Sequence, residues 1–315
     1  MPAPHFDWIA YHAYKAPEKV AVVDLGSDRS INYRSFHQRI NCLAAHLKNA
    51  GIVKGDRIAV LALNCTDTLE VQFACGRTAS IFLPLNNRLA LEELVFILED
   101  ATPRILVHDA DFEAMANELS KQFPDMILLM MGKGRSYENV MKCAAARVER
   151  EDVTHDDVCT IMYTSGTTGR PKGAMITHGM NFWNAANVSP IVGVTPDSVL
   201  LVTLPLFHTG GLNCFANPVF HAGGTVVVMR SFDAAKTLEL LTRRKYGLNL
   251  YFGVPSNYLF MSQLPEFEEA RFDGLTGGSG GASMPVGQGR APGWQSQAGV
   301  RCAVEELAAK KTAAK

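Results

Sequence analysis

Residues 163–179 read Tyr-Thr-Ser-Gly-Thr-Thr-Gly-Arg-Pro-Lys-Gly-Ala-Met-Ile-Thr-His-Gly and follow directly on the apolar run 158–162. A strand that empties into such a segment presents backbone N–H groups, hydroxyls and a cation to a polyanion. Thr164 stands at the strand end, and Ser165, Thr167 and Thr168 add hydroxyl donors. Gly166 and Gly169 let phosphate oxygens approach the backbone, and Lys172, stiffened by Pro171 before it, supplies a compact positive charge. The spacing is not Gly-x-x-x-x-Gly-Lys-Ser/Thr, so this is not a Walker A loop. The chemistry it points to is still the handling of a nucleotide triphosphate. The plainer alternative is a surface turn, which Gly, Ser and Thr also make but which does not require the lysine.

Two further segments carry chemistry. Residues 204–211, Leu-Pro-Leu-Phe-His-Thr-Gly-Gly, follow a predicted strand, where an open parallel sheet collects ligands. His208 is the histidine flanked by both an aromatic residue and a glycine pair. It is read either as a residue that orients or gates an acyl substrate or as a structural histidine, and composition does not choose between them. His178 reads as a helix-start or packing residue. Residues 277–285, Gly-Gly-Ser-Gly-Gly-Ala-Ser-Met-Pro, let a flat base or an acyl group lie against the backbone, with Gly280, Gly281 and Ala282 at the centre.

The elements around these segments alternate short apolar runs with amphipathic helices. Strands are predicted over 20–23, 57–63, 81–83, 105–107, 158–162, 199–204, 225–229 and 248–252. Between them, Phe36, Ile40, Leu43 and Leu47 form one helical stripe, and Leu91, Leu94, Val95 and Leu98 another. Strands separated by helical segments mean crossover units and a largely parallel sheet. The charged stretch 147–157 marks a boundary near residue 150, or equally a surface connection inside one body. Beyond Pro285 the sheet-building pattern stops in a segment rich in Gly, Gln, Arg and Pro.

Length and composition narrow the classes. A chain of 315 residues suggests about two domains. Hydrophobic residues at 47% and charged residues at 19% belong to a folded protein rather than a disordered one. With 30 basic and 31 acidic side chains the net charge is −1, which argues against a nucleic-acid binder working by bulk electrostatics. No apolar run approaches the length of a membrane span. The seven scattered cysteines show no Cys-x-x-Cys pair and read as reduced core thiols, hence a cytoplasmic protein.

On residues 163–179, 204–211 and 279–285, the chain resembles the N-terminal part of the acyl-adenylate-forming (AMP-binding) superfamily, which includes acyl-CoA synthetases, luciferases and nonribosomal-peptide adenylation domains. Ile31-Asn32-Tyr33-Arg34, Gly55-Asp56-Arg57-Ile58-Ala59-Val60 and Leu83-Pro84-Leu85-Asn86 stand in the expected order, so the likeness covers roughly residues 5–285. Residues 207–213 look most like the fatty or medium-chain acyl-CoA ligases.

The resemblance implies an α/β fold, the large N-terminal domain of an adenylate-forming enzyme with two stacked α/β subdomains and mostly parallel sheets. Residues 1–150 would form the first subdomain, 151–285 the second with the phosphate loop and acyl-site motifs, and 286–315 an atypical tail. It also implies a two-step reaction. A fatty acid or other carboxylic acid attacks ATP to give an acyl-adenylate, and coenzyme A then displaces AMP. Residues Thr164 to Gly169 and Lys172 would hold the β- and γ-phosphates, Mg²⁺ would bridge them, His208 would serve the acyl pocket, and Gly280, Gly281 and Ala282 the adenine and acyl pocket.

After Pro285 the family continues through a Tyr-Gly-x-Thr-Glu segment whose Glu holds Mg²⁺, a Thr-Gly-Asp segment whose Asp binds ribose, and a small mobile domain with a catalytic lysine. None follows here. The expectation is a truncated or frame-disrupted synthetase with impaired turnover, or a non-catalytic acyl and nucleotide binder, with a purely structural protein as the third class. An incomplete sheet edge near residue 285 invites a partner chain or a homodimer.

Overall fold

The computed structural model describes residues 3–132, 134–143, 150–164, 170–272 and 274–279. Helix α1 (Trp8–Lys15) precedes the hairpin of β1 (Val20–Asp24) and β2 (Arg29–Asn32) and the long α2 (Tyr33–Asn49). Crossover units follow: β3 (Arg57–Leu61), α3 (Thr66–Thr78), β4 (Ile81–Pro84), α4 (Leu91–Ala101), β5 (Ile105–His108), α5 (Glu113–Gln122), β6 (Ile127–Met130) and the short α6 (Ser136–Val140). The chain continues through β7 (Val158–Thr164), β8 (Lys172–Thr177), α7 (His178–Val192) and β9 (Val199–Val202). Then come α8 (Thr209–Gly211), a π turn (Leu212–Ala216), α9 (Asn217–Ala222), β10 (Thr225–Val228), α10 (Ala234–Thr242), β11 (Leu250–Gly253), α11 (Pro255–Met261) and β12 (Thr276–Ser279).

Local chemistry sets several helix starts. Asp7, Asn32, Thr177 and Asp233 each accept a hydrogen bond from a backbone N–H of the first turn of α1, α2, α7 and α10. Residues 172–177, read in the sequence as the end of a loop, are instead a strand antiparallel to β7. Their exposed side chains hide the pattern, since a strand at a sheet edge buries little.

Two six-stranded sheets result, ordered β12-β11-β9-β10-β1-β2 and β6-β5-β3-β4-β7-β8. All neighbours are parallel except the hairpins β1–β2 and β7–β8 that close one end of each sheet. The sheets do not divide at residue 150. Strand β1 pairs with β10, Val22 opposite Val226, and β7 pairs with β4, Phe82 opposite Thr160. Each sheet therefore draws strands from both sides of that position, because the open edges of β10 and β4 are paired by hairpins distant in sequence.

The central strands are buried on both faces, and their period of two sorts side chains into layers. Ile58 and Val60 of β3, Ile105 and Val107 of β5, Leu200 and Val202 of β9 and Val226 and Val228 of β10 share one core with Phe36, Leu43, Leu69 and Phe220. Helices α2, α3 and α9 thus lie between the two sheets. Ala59, Leu61 and Leu106 face outward onto Leu94, Leu98 and Leu119 of α4 and α5. Leu201 and Val227 face the other way, onto Leu238, Leu241 and Tyr258 of α10 and α11. Five layers follow, helix–sheet–helix–sheet–helix. No helix among the described residues is long and apolar enough to cross a membrane.

The cysteine reading is corrected. Cys42 of α2 and Cys143 beyond α6 form a disulfide, while Cys65, Cys75 and Cys159 are buried free thiols and Cys214 is half-buried and free. Cys302 lies outside the described residues. The bridge joins residues 101 apart in sequence, a pairing that spacing alone does not reveal, and it removes the argument for a reducing compartment. Closing so long a loop restricts the unfolded chain, so Cys42→Ser is expected to lower unfolding free energy by about 2–4 kcal/mol. Urea denaturation under non-reducing conditions measures it, and reduction of the wild-type chain should reproduce the loss.

Candidate functional site

The parallel strands of each sheet deliver their C-terminal ends to one edge, and the loops that leave those ends build a cleft of about 850 Å³. Leu63 and Asn64 come from beyond β3, Asn86, Asn87 and Arg88 from beyond β4, and Phe207, His208 and Thr209 from beyond β9. Arg230 and Phe232 follow β10, and Val254 and Asn257 follow β11. The cleft is thus shared between the two sheets, with Phe207, Phe232, Phe252 and Cys214 as apolar lining and Asn86, Asn87, Arg88 and Arg230 as polar lining.

Asn64 makes the joint. Its side-chain amide donates to Leu204 O (2.9 Å) and Met229 O (3.2 Å), and its Oδ1 accepts from Leu206 N (2.9 Å). One buried side chain from the second sheet thereby ties down the loops after β9 and β10 of the first. Asp109 reinforces it, accepting from Leu63 N (3.0 Å) and from Arg230 Nη2 (2.9 Å), while Arg230 also reaches Asp111 at 2.7 Å. Burial alone pulls the Arg230 guanidinium down, but Asp111 and Asp109 outweigh it and hold it above its ordinary value.

His208 caps α8. Gly210 N donates to its Nδ1 (3.1 Å), which leaves Nε2 as the ring's N–H donor at the cleft wall. The following turn is tight. A Cβ on Gly211 would lie 2.2 Å from Pro205 O, so glycine is required for the helix to start against residues 204–205.

Thr164 and Lys172 are cross-strand partners where β7 ends and β8 begins, at the loop end of the hairpin, and both are exposed. Among the described residues Lys172 pairs with no carboxylate. The same end of the hairpin is fastened to α4: Tyr163 donates its hydroxyl to Asp100, and Arg170 lies over the Phe96 ring at 5.8 Å. Ser165, Gly166, Thr167, Thr168 and Gly169, and likewise Gly280, Gly281 and Ala282, lie outside the described residues. The structure puts His208 in the cleft lining and Thr164 beside Lys172; the cleft lining includes neither of those two. Strand β7 runs parallel to β4, so Thr164 leaves its sheet at the same edge as Asn86 and Arg88.

Sequence reading missed Asn64, Asp109 and Arg230. The available signal was a polar residue directly after an apolar strand run, as in Leu61-Ala62-Leu63-Asn64 and Val107-His108-Asp109. His178 opens α7 and is buried. Its ring centroid is 4.1 Å from that of His5, beside a polar cavity of about 90 Å³ that Asp7, Arg77 and Gln72 also line. Burial, and then His5, pushes His178 down to about 3, and burial pushes His5 down to about 4.

A family model described as AMP-binding enzyme matches residues 9–291. Feruloyl-CoA synthase of Amycolatopsis sp is 36% identical over 282 residues, which are 89% of this chain and 54% of that protein. The inhibitor-bound N-terminal domain of FACL13 from Mycobacterium tuberculosis superposes with a TM-score of 0.82 at 28% identity, covering 96% of this chain and 72% of that one. ATP-bound MatB from Rhodopseudomonas palustris does so with a TM-score of 0.74 at 30% identity, covering 84% and 52%. The chain spans about half the length of the curated relatives it matches.

Removing the Asn64 amide leaves Leu206 N and Leu204 O buried without that partner, so Asn64→Ala is expected to cost about 3 kcal/mol, read by chemical denaturation. The two depressed histidines set a pH dependence. Both rings are neutral when folded, so their contribution is fully present above about pH 6.5 and is lost as pH falls toward about 4 and 3. A His5→Asn, His178→Asn double variant should show a flatter decline of unfolding free energy across that window than the wild-type chain.

Proposed function

We propose an acid–thiol ligase role for this chain, which belongs to the AMP-binding enzyme family and forms the large N-terminal α/β domain, with mostly parallel sheets, seen in its adenylate-forming relatives. The reaction is ATP-dependent adenylation of a carboxylic acid, with coenzyme A as the thiol acceptor. The observation that carries the proposal is the pairing of Thr164 with Lys172 at the loop end of a hairpin, on the edge where both sheets deliver their loops.

The residues present fit a nucleotide. Lys172 offers an ammonium group without a carboxylate partner among the described residues, and Thr164 a hydroxyl beside it. In this reading Lys172, Thr164 and the segment from Ser165 to Gly169 hold the β- and γ-phosphates, and Gly280, Gly281 and Ala282 lie against the base. Bound as its Mg²⁺ salt, ATP supplies the electrophilic phosphorus and a pyrophosphate leaving group. His208 donates through Nε2–H to an oxygen of the acid, and the loops tied by Asn64 keep that donor in position before substrate arrives. The apolar lining of Phe207, Phe232 and Phe252 suits a fatty acid. A second reading, an aromatic acid, is favoured by the Phe215 ring stacked on Phe252 at 4.6 Å and by the feruloyl-CoA synthase relative.

ATP–pyrophosphate exchange on the full chain with Mg²⁺, and with acetate, octanoate, palmitate and ferulate in turn, tests the proposal. Exchange that depends on one acid and falls about a hundredfold in Lys172→Ala is the expected result. A folded chain that exchanges with none of the acids, or exchange indifferent to Lys172, overturns it. ATP binding without exchange would leave a nucleotide binder in its place.

A further inference from the structure

Helix α8, the π turn and α9 form one continuous helical segment whose register is unusual at the wall of the cleft. A π turn holds one residue more than an α-helical turn, and such turns concentrate at functional sites. Rewinding it to α geometry would rotate Thr209 and His208 by about 100° relative to α9. Something must pin that register, and a line of side-chain amides runs along the segment. Gln72 Nε2, on α3, donates to Asn217 Oδ1 at 2.9 Å, and Asn217 Nδ2 donates to Asn213 Oδ1 at 2.9 Å. Asn213 Nδ2 then donates to Thr209 Oγ1 at 3.1 Å, and the Asn213 carbonyl accepts from Asn184 Nδ2 at 2.7 Å. Asn217 and Asn213 are only 1% and 7% exposed, so the central bond between them forms away from water, where a lost partner is not replaced, while the bonds to Gln72 and Thr209 are half-buried. Thr209 and Cys214, on either side of Asn213, line the cleft.

We infer that Gln72, Asn217 and Asn213 are positioning residues: an amide relay from the helical layer between the sheets that holds the π turn wide and so sets the cleft wall the acid meets. The inference rests on the cleft being the acid site of the proposed reaction. Asn213 Nδ2 also lies 3.9 Å from Met162 Sδ on β7, but the line of amides ends on Thr209 in the cleft lining, so the larger effect falls on the acid and the smaller on ATP.

The test uses the full chain with Asn217→Leu and Gln72→Leu, singly and together. Amide hydrogen exchange read by mass spectrometry should quicken about fivefold or more across residues 208–217 while β10 stays protected. In ATP–pyrophosphate exchange with octanoate and with ferulate, the half-saturating acid concentration should rise about tenfold, with that for ATP within about twofold. The double variant should be no worse than Asn217→Leu alone, because both break one chain. Unchanged hydrogen exchange across 208–217 overturns the relay. Faster exchange with unaltered acid dependence overturns the positioning role and leaves a structural brace. A wild-type chain that exchanges with neither acid sinks the proposed reaction and the acid role together, while the hydrogen-exchange result still decides whether the amides hold the turn. Should Asn217→Leu fail to fold, Gln72→Met removes only the first link and is read in the same two ways.

Discussion

Asn64 stands where the chain leaves one sheet, and it holds the loops of the other. Two parallel sheets can each bury their own faces, but nothing in strand pairing fixes how the loops at their C-terminal ends meet. That is decided by one buried amide whose donors and acceptor are all used on backbone groups of residues 204, 206 and 229. Backbone groups at the end of a buried strand need partners, and a side chain that supplies three of them at once fixes position as well as satisfying charge distribution. The cleft, the His208 cap and the start of α8 all depend on that joint.

The same economy of polar groups recurs inside the helical layer. Arg39 of α2 grips Glu70 of α3 through two bonds of 2.5 and 3.1 Å, and Arg29 pairs with Asp67 and Glu138. Tyr137 of α6 donates to Glu70 at 2.9 Å. Burial, and then Asp67, pushes the Glu70 carboxyl up to about 7 despite the arginines, so the cluster is bound by geometry as much as by charge. It ties α2, α3 and α6 together beside the Cys42–Cys143 bridge, and α3 is the helix that carries Gln72 toward the cleft wall.

Much of the fold was legible because strands buried on both faces leave continuous apolar runs, and β1, β3, β4, β5, β7, β9, β10 and β11 all stand at or within a few residues of such runs. Strand β8 was not legible, since its exposed residues carry no alternation; a Cβ on Gly173 would press to 2.9 Å on Ile161, a constraint that belongs to the paired strand and not to the segment alone. The division at residue 150 failed for a related reason. Apolar runs announce strands but not neighbours, and which edge a hairpin joins is settled by distant backbone groups. Of the site, Thr164, Lys172 and His208 were named from residue types, while Asn64, Asp109, Arg230, Asn213 and Asn217 are ordinary polar residues until their partners are known.

The sequence by itself determined the strands with continuous apolar runs, the helices with a clear apolar stripe, the parallel α/β class and the segments with phosphate- and acyl-type chemistry, because periodicity, caps and glycine-rich turns act over a few residues. Tertiary structure alone decided that Cys42 meets Cys143, that β1 and β7 cross to sheets begun elsewhere, and that loops from both sheets close on one cleft. Those outcomes depend on contacts between residues far apart in the chain, from Phe82 and Thr160 to Asn64 and Leu206, and no local pattern encodes which buried donor will find which acceptor.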